Sequence, residues 1–229
     1  MARLALTLVL TLSFFASAQP HGRGNRGWQR GRERPEQVDR FTNLMRLHQA
    51  CQAAFQYSSQ ADKCVQLMSA ARFDASATVQ ACQSAMYYES DRLRCLEQVL
   101  PAGVDLSATV TACDAAMYYD SDVMRCVSIA SSARRDLAEA VKACDGAMYY
   151  DSDVRKCIEV VAAEPSCHAR AAADVVRSCD AAMYYDSDAM KCIQTALPLG
   201  PRAAEVVQFC DQTRPYDSDA MKCVAAFNG

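Results

Sequence analysis

Twelve of the thirteen cysteines in this 229-residue chain fall into pairs of one spacing, Cys-x12-Cys. Cys51 pairs in this way with Cys64, Cys82 with Cys95, Cys113 with Cys126, Cys144 with Cys157, Cys179 with Cys192, and Cys210 with Cys223. Thiols at a fixed interval can hold a metal, exchange electrons or close covalent loops. A zinc site wants closely spaced Cys/His pairs such as C-x2-C, and the sequence has none. Thiol-lined copper stores need Cys on successive helical turns, which this spacing does not supply. The even number and constant interval point to six disulfides, with pairing within or between neighbouring segments left open by the pattern alone. The thirteenth, Cys167, follows Glu164-Pro165-Ser166 and precedes His168. An odd thiol of this kind is either incidental or the bridge of a disulfide-linked homodimer. A Cys–His nucleophile is a third reading, although sequence neighbours rarely form the catalytic pair.

Other chemistry finds little support. His21 and His48 are isolated, and no Gly-rich phosphate loop, nucleophile elbow or metal-ligand pair appears. Asp120-Ser121-Asp122 opens like a calcium loop, but Val123, Met124 and Arg125 follow where further oxygen ligands and a Gly should stand. Only a calcium site of another type, shared between neighbouring turns, survives that test. Met117 and Met124 could serve copper as thioethers, yet Met on an apolar helical face is usually core. The expectation is a non-catalytic protein with no cofactor and no metal.

The cysteines are carried by an internal repeat. First cysteines recur every 31 residues, with a single step of 35 between Cys144 and Cys179. Each copy reads as two helices. The first is capped by an Asp (Asp74, Asp105, Asp136) and carries an apolar face through Val110, Cys113, Ala116 and Met117. Val79, Val141, Val176 and Val207 hold the position of Val110 in other copies. Tyr118-Tyr119-Asp120 breaks the pattern, and Ser121 looks like the cap of a second helix with Asp122 in its first turn. Met124, Cys126, Val127 and Ala130 continue it. Cys113 and Cys126 lie equally far from the turn, so an antiparallel hairpin brings them face to face. Closing such a loop is worth about 3 kcal/mol by chain entropy.

The turn varies less than the helices. Ser59, Ser90, Ser121, Ser152, Ser187 and Ser218 recur as helix caps would, and Tyr57, Tyr88, Tyr119, Tyr150, Tyr185 and Tyr216 are expected to pack beneath the turn. Lys63, Arg94, Arg125, Lys156, Lys191 and Lys222 precede the second cysteines, five of them three residues after an acid, a spacing for surface ion pairs. Tyr87, Tyr118, Tyr149 and Tyr184 occur only in the four central copies, the ends carrying Gln56 and Pro215. With Glu89, Asp120, Asp151 and Asp186 they form a candidate binding face, an aromatic and acidic stripe for a protein, glycan or cationic partner. The competing reading packs these tyrosines against the next repeat. The turn at Tyr118 to Asp122 resembles that of a bacterial family of unknown function, whose helical repeats carry aromatic-Asp-Ser-Asp followed by a basic residue. The resemblance covers the turn of each copy, without the cysteine pair, and implies helical repeats.

Residues 1–18 have the form of a signal peptide: Arg3, the apolar run Leu4 to Phe15, then Ala16-Ser17-Ala18. No segment is long and apolar enough for a transmembrane span. Residues 19–40 are rich in Gly and Arg and carry a net charge of +3, against −7 for residues 41–229. They are expected to form a disordered, basic arm that could touch an anionic surface. The fold expected over 41–229 is all-α, a tandem array of six disulfide-stapled helical hairpins, α-solenoid-like. The function expected is an exported binding scaffold, periplasmic or extracellular, that meets another protein or an envelope component. Two alternatives are a structural envelope, coat or matrix component cross-linked through Cys167, and a thiol-based metal or redox protein.

Overall fold

A computed structural model describes residues 35–71, 73–164 and 169–228. Six helical hairpins follow one another: α1 (Pro35–Ala54) and α2 (Ser58–Ser69), α3 (Ser76–Ala85) and α4 (Glu89–Val99), α5 (Ser107–Ala116) and α6 (Asp120–Ala133). The second half repeats the plan with α7 (Ala138–Ala147) and α8 (Asp151–Ala163), α9 (Ala169–Ala182) and α10 (Asp186–Ala196), α11 (Ala203–Thr213) and α12 (Asp217–Ala226). The fold is all-α, as the periodicity implies. Helix α1 already includes residues 35–40, so the described end of the segment assigned to the disordered arm is helical. No described helix is long and apolar enough to cross a membrane.

One template builds both helices of a hairpin. In α5 the buried positions are Thr109, Val110, Ala112, Cys113 and Ala116, and in α6 they are Val123, Met124, Cys126, Val127 and Ala130. Both sets follow the i, i+1, i+3, i+4, i+7 stripe of an amphipathic helix. Each disulfide joins the two stripes of its own hairpin. Cys51 is bonded to Cys64, Cys82 to Cys95 and Cys113 to Cys126. Cys144 is bonded to Cys157, Cys179 to Cys192 and Cys210 to Cys223. The Cα–Cα distances are 5.6–5.8 Å throughout. Pairing is therefore within hairpins, which closes the alternative of bridges between neighbours. The odd-helix cysteines are all fully buried, as are Cys64, Cys95, Cys126, Cys157 and Cys192 on the even helices. Cys223, at the end of the stack, is half-buried, so the bridges are themselves part of the core. Met117 and Met124 are buried there too.

The hairpins stack in two layers, odd-numbered helices against odd and even against even. The odd layer is the more closely packed, because Ala81, Ala112, Ala140 and Ala143 line it while larger Val, Met, Ile and Leu side chains fill the even one. At the open end of the third and fourth hairpins a carboxylate also joins neighbouring repeats. Asp74, Asp105 and Asp136 accept from the backbone N–H two residues on, starting the odd helix from one position further out than a formal cap. Asp105 also accepts from the buried Thr78 hydroxyl of the preceding repeat at 3.1 Å, and Asp136 from Thr109 at 2.6 Å. Thr109 in turn accepts the Leu137 N–H at 2.9 Å. At the 35-residue step Ala140 stands in place of the Thr and Ala171 in place of the Asp, so donor and acceptor vanish together. Arg135 meets that step differently, donating to the α8 carbonyl Val161 O and to Glu164 O just beyond the helix.

Thr109→Val should therefore cost about 1–3 kcal/mol in urea unfolding, since it orphans the Leu137 N–H and removes one of the two donors to Asp136. Thr111→Val, whose hydroxyl is exposed and bonds only to Ser107 O, should change stability by under about 0.5 kcal/mol.

Candidate functional site

The turn between the two helices of a hairpin is built from extended residues. Met117 leaves α5 with its N–H still on Cys113 O, and Tyr119 is extended at φ −109, ψ 138. The Tyr119 carbonyl then accepts the N–H groups of Asp122 and Val123 at 2.8 and 3.0 Å, which starts α6 at Asp120. The second helices thus begin before the serines expected to cap them. Ser121 and its counterparts occupy the second helical position, and no tyrosine at the cap position receives a side-chain cap bond.

The acid that opens each even helix reaches backward to the preceding repeat. Glu89 accepts the Gln56 N–H at 2.9 Å, Asp120 the Tyr87 N–H at 3.1 Å, and Asp151 the Tyr118 N–H at 3.2 Å. Asp186 takes Tyr149 at 2.9 Å and Asp217 takes Tyr184 at 3.0 Å. A carboxylate at a helix N-terminus is also favoured by the helix dipole. These acids, expected as half of a binding stripe, are thus the rungs of an inter-repeat ladder. Both ends of the ladder are closed chemically. The first repeat has Ser58 where the acid would stand, and the last has Pro215, which carries no N–H, where the donor would stand.

With its N–H held inward, the first tyrosine of each turn points out. Tyr87, Tyr118, Tyr149 and Tyr184 are 79–84% exposed, so they do not pack against the next repeat. The second tyrosines do not lie beneath the turn: Tyr57, Tyr88, Tyr119, Tyr150 and Tyr185 are each 63% exposed and Tyr216 is 69% exposed. Met86, Met117, Met148 and Met183 already fill the space under the turn. Each central Tyr–Tyr pair meets edge to face, with centroids 4.8–5.0 Å apart. These ten residues are all the tyrosines of the chain. Beside them runs a row of exposed ion pairs, Arg125–Asp122, Lys156–Asp153, Lys191–Asp188 and Lys222–Asp219, as the spacing implied. Exposed pairs of this kind add little stability. Lys63 pairs instead with Glu97 of the next repeat.

One set of perturbed carboxylates escaped the sequence reading. Burial, and secondarily the charge of Asp120, raises the pKa of Asp114 above its ordinary value of 3.8. Asp145 and Asp180 are raised for the same reasons, beside Asp151 and Asp186. The visible signal is the residue after the first cysteine, which is Gln at 52 and 83 but Asp from 114 onward. Among the described residues, nowhere are three or more His, Cys, Asp or Glu side chains gathered as a metal site. His48 is exposed on α1; Cys167, His168 and His21, with the dimer bridge and basic arm expected there, lie outside the described residues. No protein-family model, curated protein or solved structure matches the chain.

Because protonation is easier in the fold than in the unfolded chain, the ionised Asp114, Asp145 and Asp180 oppose folding at neutral pH. That penalty is present above their folded pKa and disappears as pH falls towards 3.8. The triple variant Asp114→Asn, Asp145→Asn, Asp180→Asn should melt higher than the parent at pH 7 in metal-free buffer. Calorimetric scans at successively lower pH should show the two melting curves converging.

Proposed function

We propose that this chain is an exported, non-catalytic scaffold that binds another protein or an envelope component along its tyrosine edge. One observation carries the reading: four edge-to-face tyrosine pairs stand exposed at the same point of successive repeats. A folded chain gains nothing from displaying its large aromatics to water, whereas a partner that covers them gains apolar area and hydroxyl hydrogen bonds. Among the described residues no tyrosine hydroxyl is engaged in a hydrogen bond that would explain the placement. The rigidity of the support fits the same role, since stapled hairpins hold the rings at fixed intervals before any partner arrives. Six disulfides within the hairpins suit an oxidising compartment, and the signal-like residues 1–18 supply the route there.

The test is a comparison of tyrosine reactivity. Mild nitration of the protein in its native exported setting should spare Tyr118 and Tyr149 relative to nitration of the purified chain. Equal labelling in both settings would sink the reading. The double variant Tyr118→Ala, Tyr149→Ala should leave the melting temperature within about 2 °C, as expected for exposed positions, while abolishing retention in the native assembly.

A further inference from the structure

The two ends of the stack treat their disulfides differently. Eleven of the twelve bridged cysteines are 0% exposed, and only Cys223 of the last repeat is partly open to solvent. The lack of an outer neighbour does not explain this. Among the described residues the first hairpin has none on its outer side either, and it still buries Cys51 and Cys64. There Met68 covers the bond: its Sδ lies 3.3 Å from Cys51 Sγ and 3.8 Å from Cys64 Sγ, and the residue is 2% exposed. In the last repeat the same position, four residues after the second cysteine, holds Phe227, which is 52% exposed. Its ring meets Phe209 edge to face at 6.3 Å, and Cys223 is left partly uncovered.

Exposure decides which sulfur can react. In thiol–disulfide exchange a thiolate must reach one sulfur of the bond while the other departs. At five bridges both cysteines are fully buried, so neither sulfur is reachable without opening the core. At the sixth, Cys223 is reachable and Cys210, at 0% exposed, is not. The support around this bridge is also the thinnest. Helix α12 packs against α10 and α11, whereas α10 is held by α8, α9, α11 and α12. In a linear array the terminal unit opens at the lowest cost.

We propose that the Cys210–Cys223 bridge is a site of reversible covalent attachment for a small-molecule thiol. The thiolate of that molecule attacks Cys223 Sγ, a new S–S bond forms there, and Cys210 departs as a thiolate that takes up a proton. One disulfide replaces another, so no oxidant or reductant is consumed. Burial disfavours charge on Cys210. The departed sulfur therefore either stays protonated or returns to Cys223 Sγ, which expels the incoming thiol and restores the staple. Attachment persists only while the thiol is in excess. A compact thiol suits the opening, because Cys223 is still half-buried. This inference is independent of what the tyrosine edge contacts.

The experiment uses the oxidised full chain with any free Cys167 thiol alkylated beforehand. Reduced glutathione is added under native conditions, the reaction is quenched with acid, and new thiols are trapped with a maleimide in denaturant before peptide mapping. One glutathione should appear on Cys223, with Cys210 trapped by the maleimide, at least about tenfold faster than any other bridge opens, because access limits exchange. Withdrawing the glutathione before the quench should return the chain to its starting mass. Amide hydrogen exchange of the attached form should rise in α11 and α12 and stay at the parent level in α3 to α8. Opening of Cys51–Cys64 at the same rate, glutathione on Cys210 rather than Cys223, or loss of amide protection throughout the chain would each overturn the proposal.

Discussion

A single carboxylate between turns sets the geometry of the stack. Once the chain leaves an odd helix at Met117, the next N–H, that of Tyr118, has no helical carbonyl to meet and must take its acceptor from a neighbour or from water. The neighbour's acid supplies the acceptor from the first position of an even helix, where the helix dipole already favours negative charge. This oxygen–nitrogen contact joins the two turns, while the buried helix faces pack the hairpins together, and with its N–H held inward the Tyr118 ring stands exposed. The display of aromatics follows from where the backbone donor must point.

Covalent and non-covalent bonding are divided cleanly in this architecture. Disulfides hold each hairpin internally, and carboxylates hold it to the next at the turn end, with Asp–Thr contacts adding a second row among the early repeats. In a linear array stability is a sum of terms within repeats and terms between neighbours. The bridges act on the first kind. Small Ala-rich odd helices could not provide it by side-chain area alone, but their smallness lets the odd layer pack closely.

The cysteine pairing and helical stripes were legible because both depend on local spacing, 13 residues across a turn or about 3.6 per helical turn. Cys64, Cys95, Cys157 and Cys192 each stand opposite the partner that equal distance from the turn implied. The serine caps were misread for an instructive reason. Ser and Asp are favoured both at a cap and in the first turn, so Asp120-Ser121-Asp122 fits either register until the extended Tyr119 is seen. The tyrosines were undecidable from sequence, since an aromatic beside a buried Met117 is equally suited to core or surface. The ladder was hidden because its partners stand 33 or 37 residues apart. Yet the copies serve as their own alignment. Thr109 with Asp136 against Ala140 with Ala171 is a paired exchange that marks spatial neighbours without any other chain for comparison.

Ser58 and Pro215 give the ladder a meaning beyond register. An array whose units recognise one another head to tail has no intrinsic length, and its free ends would accept further molecules to grow filaments. Here the leading unit has no acid with which to receive another chain, and the trailing unit has no amide hydrogen to offer one. The two terminal substitutions withhold the turn-end contact from a further molecule at either end of the ladder. They also leave the interior open to change, because a hairpin inserted or deleted between them keeps the turn-end carboxylate contact on both sides. The length of the aromatic edge is thus set by the number of hairpins between the two ends, not by the ends themselves.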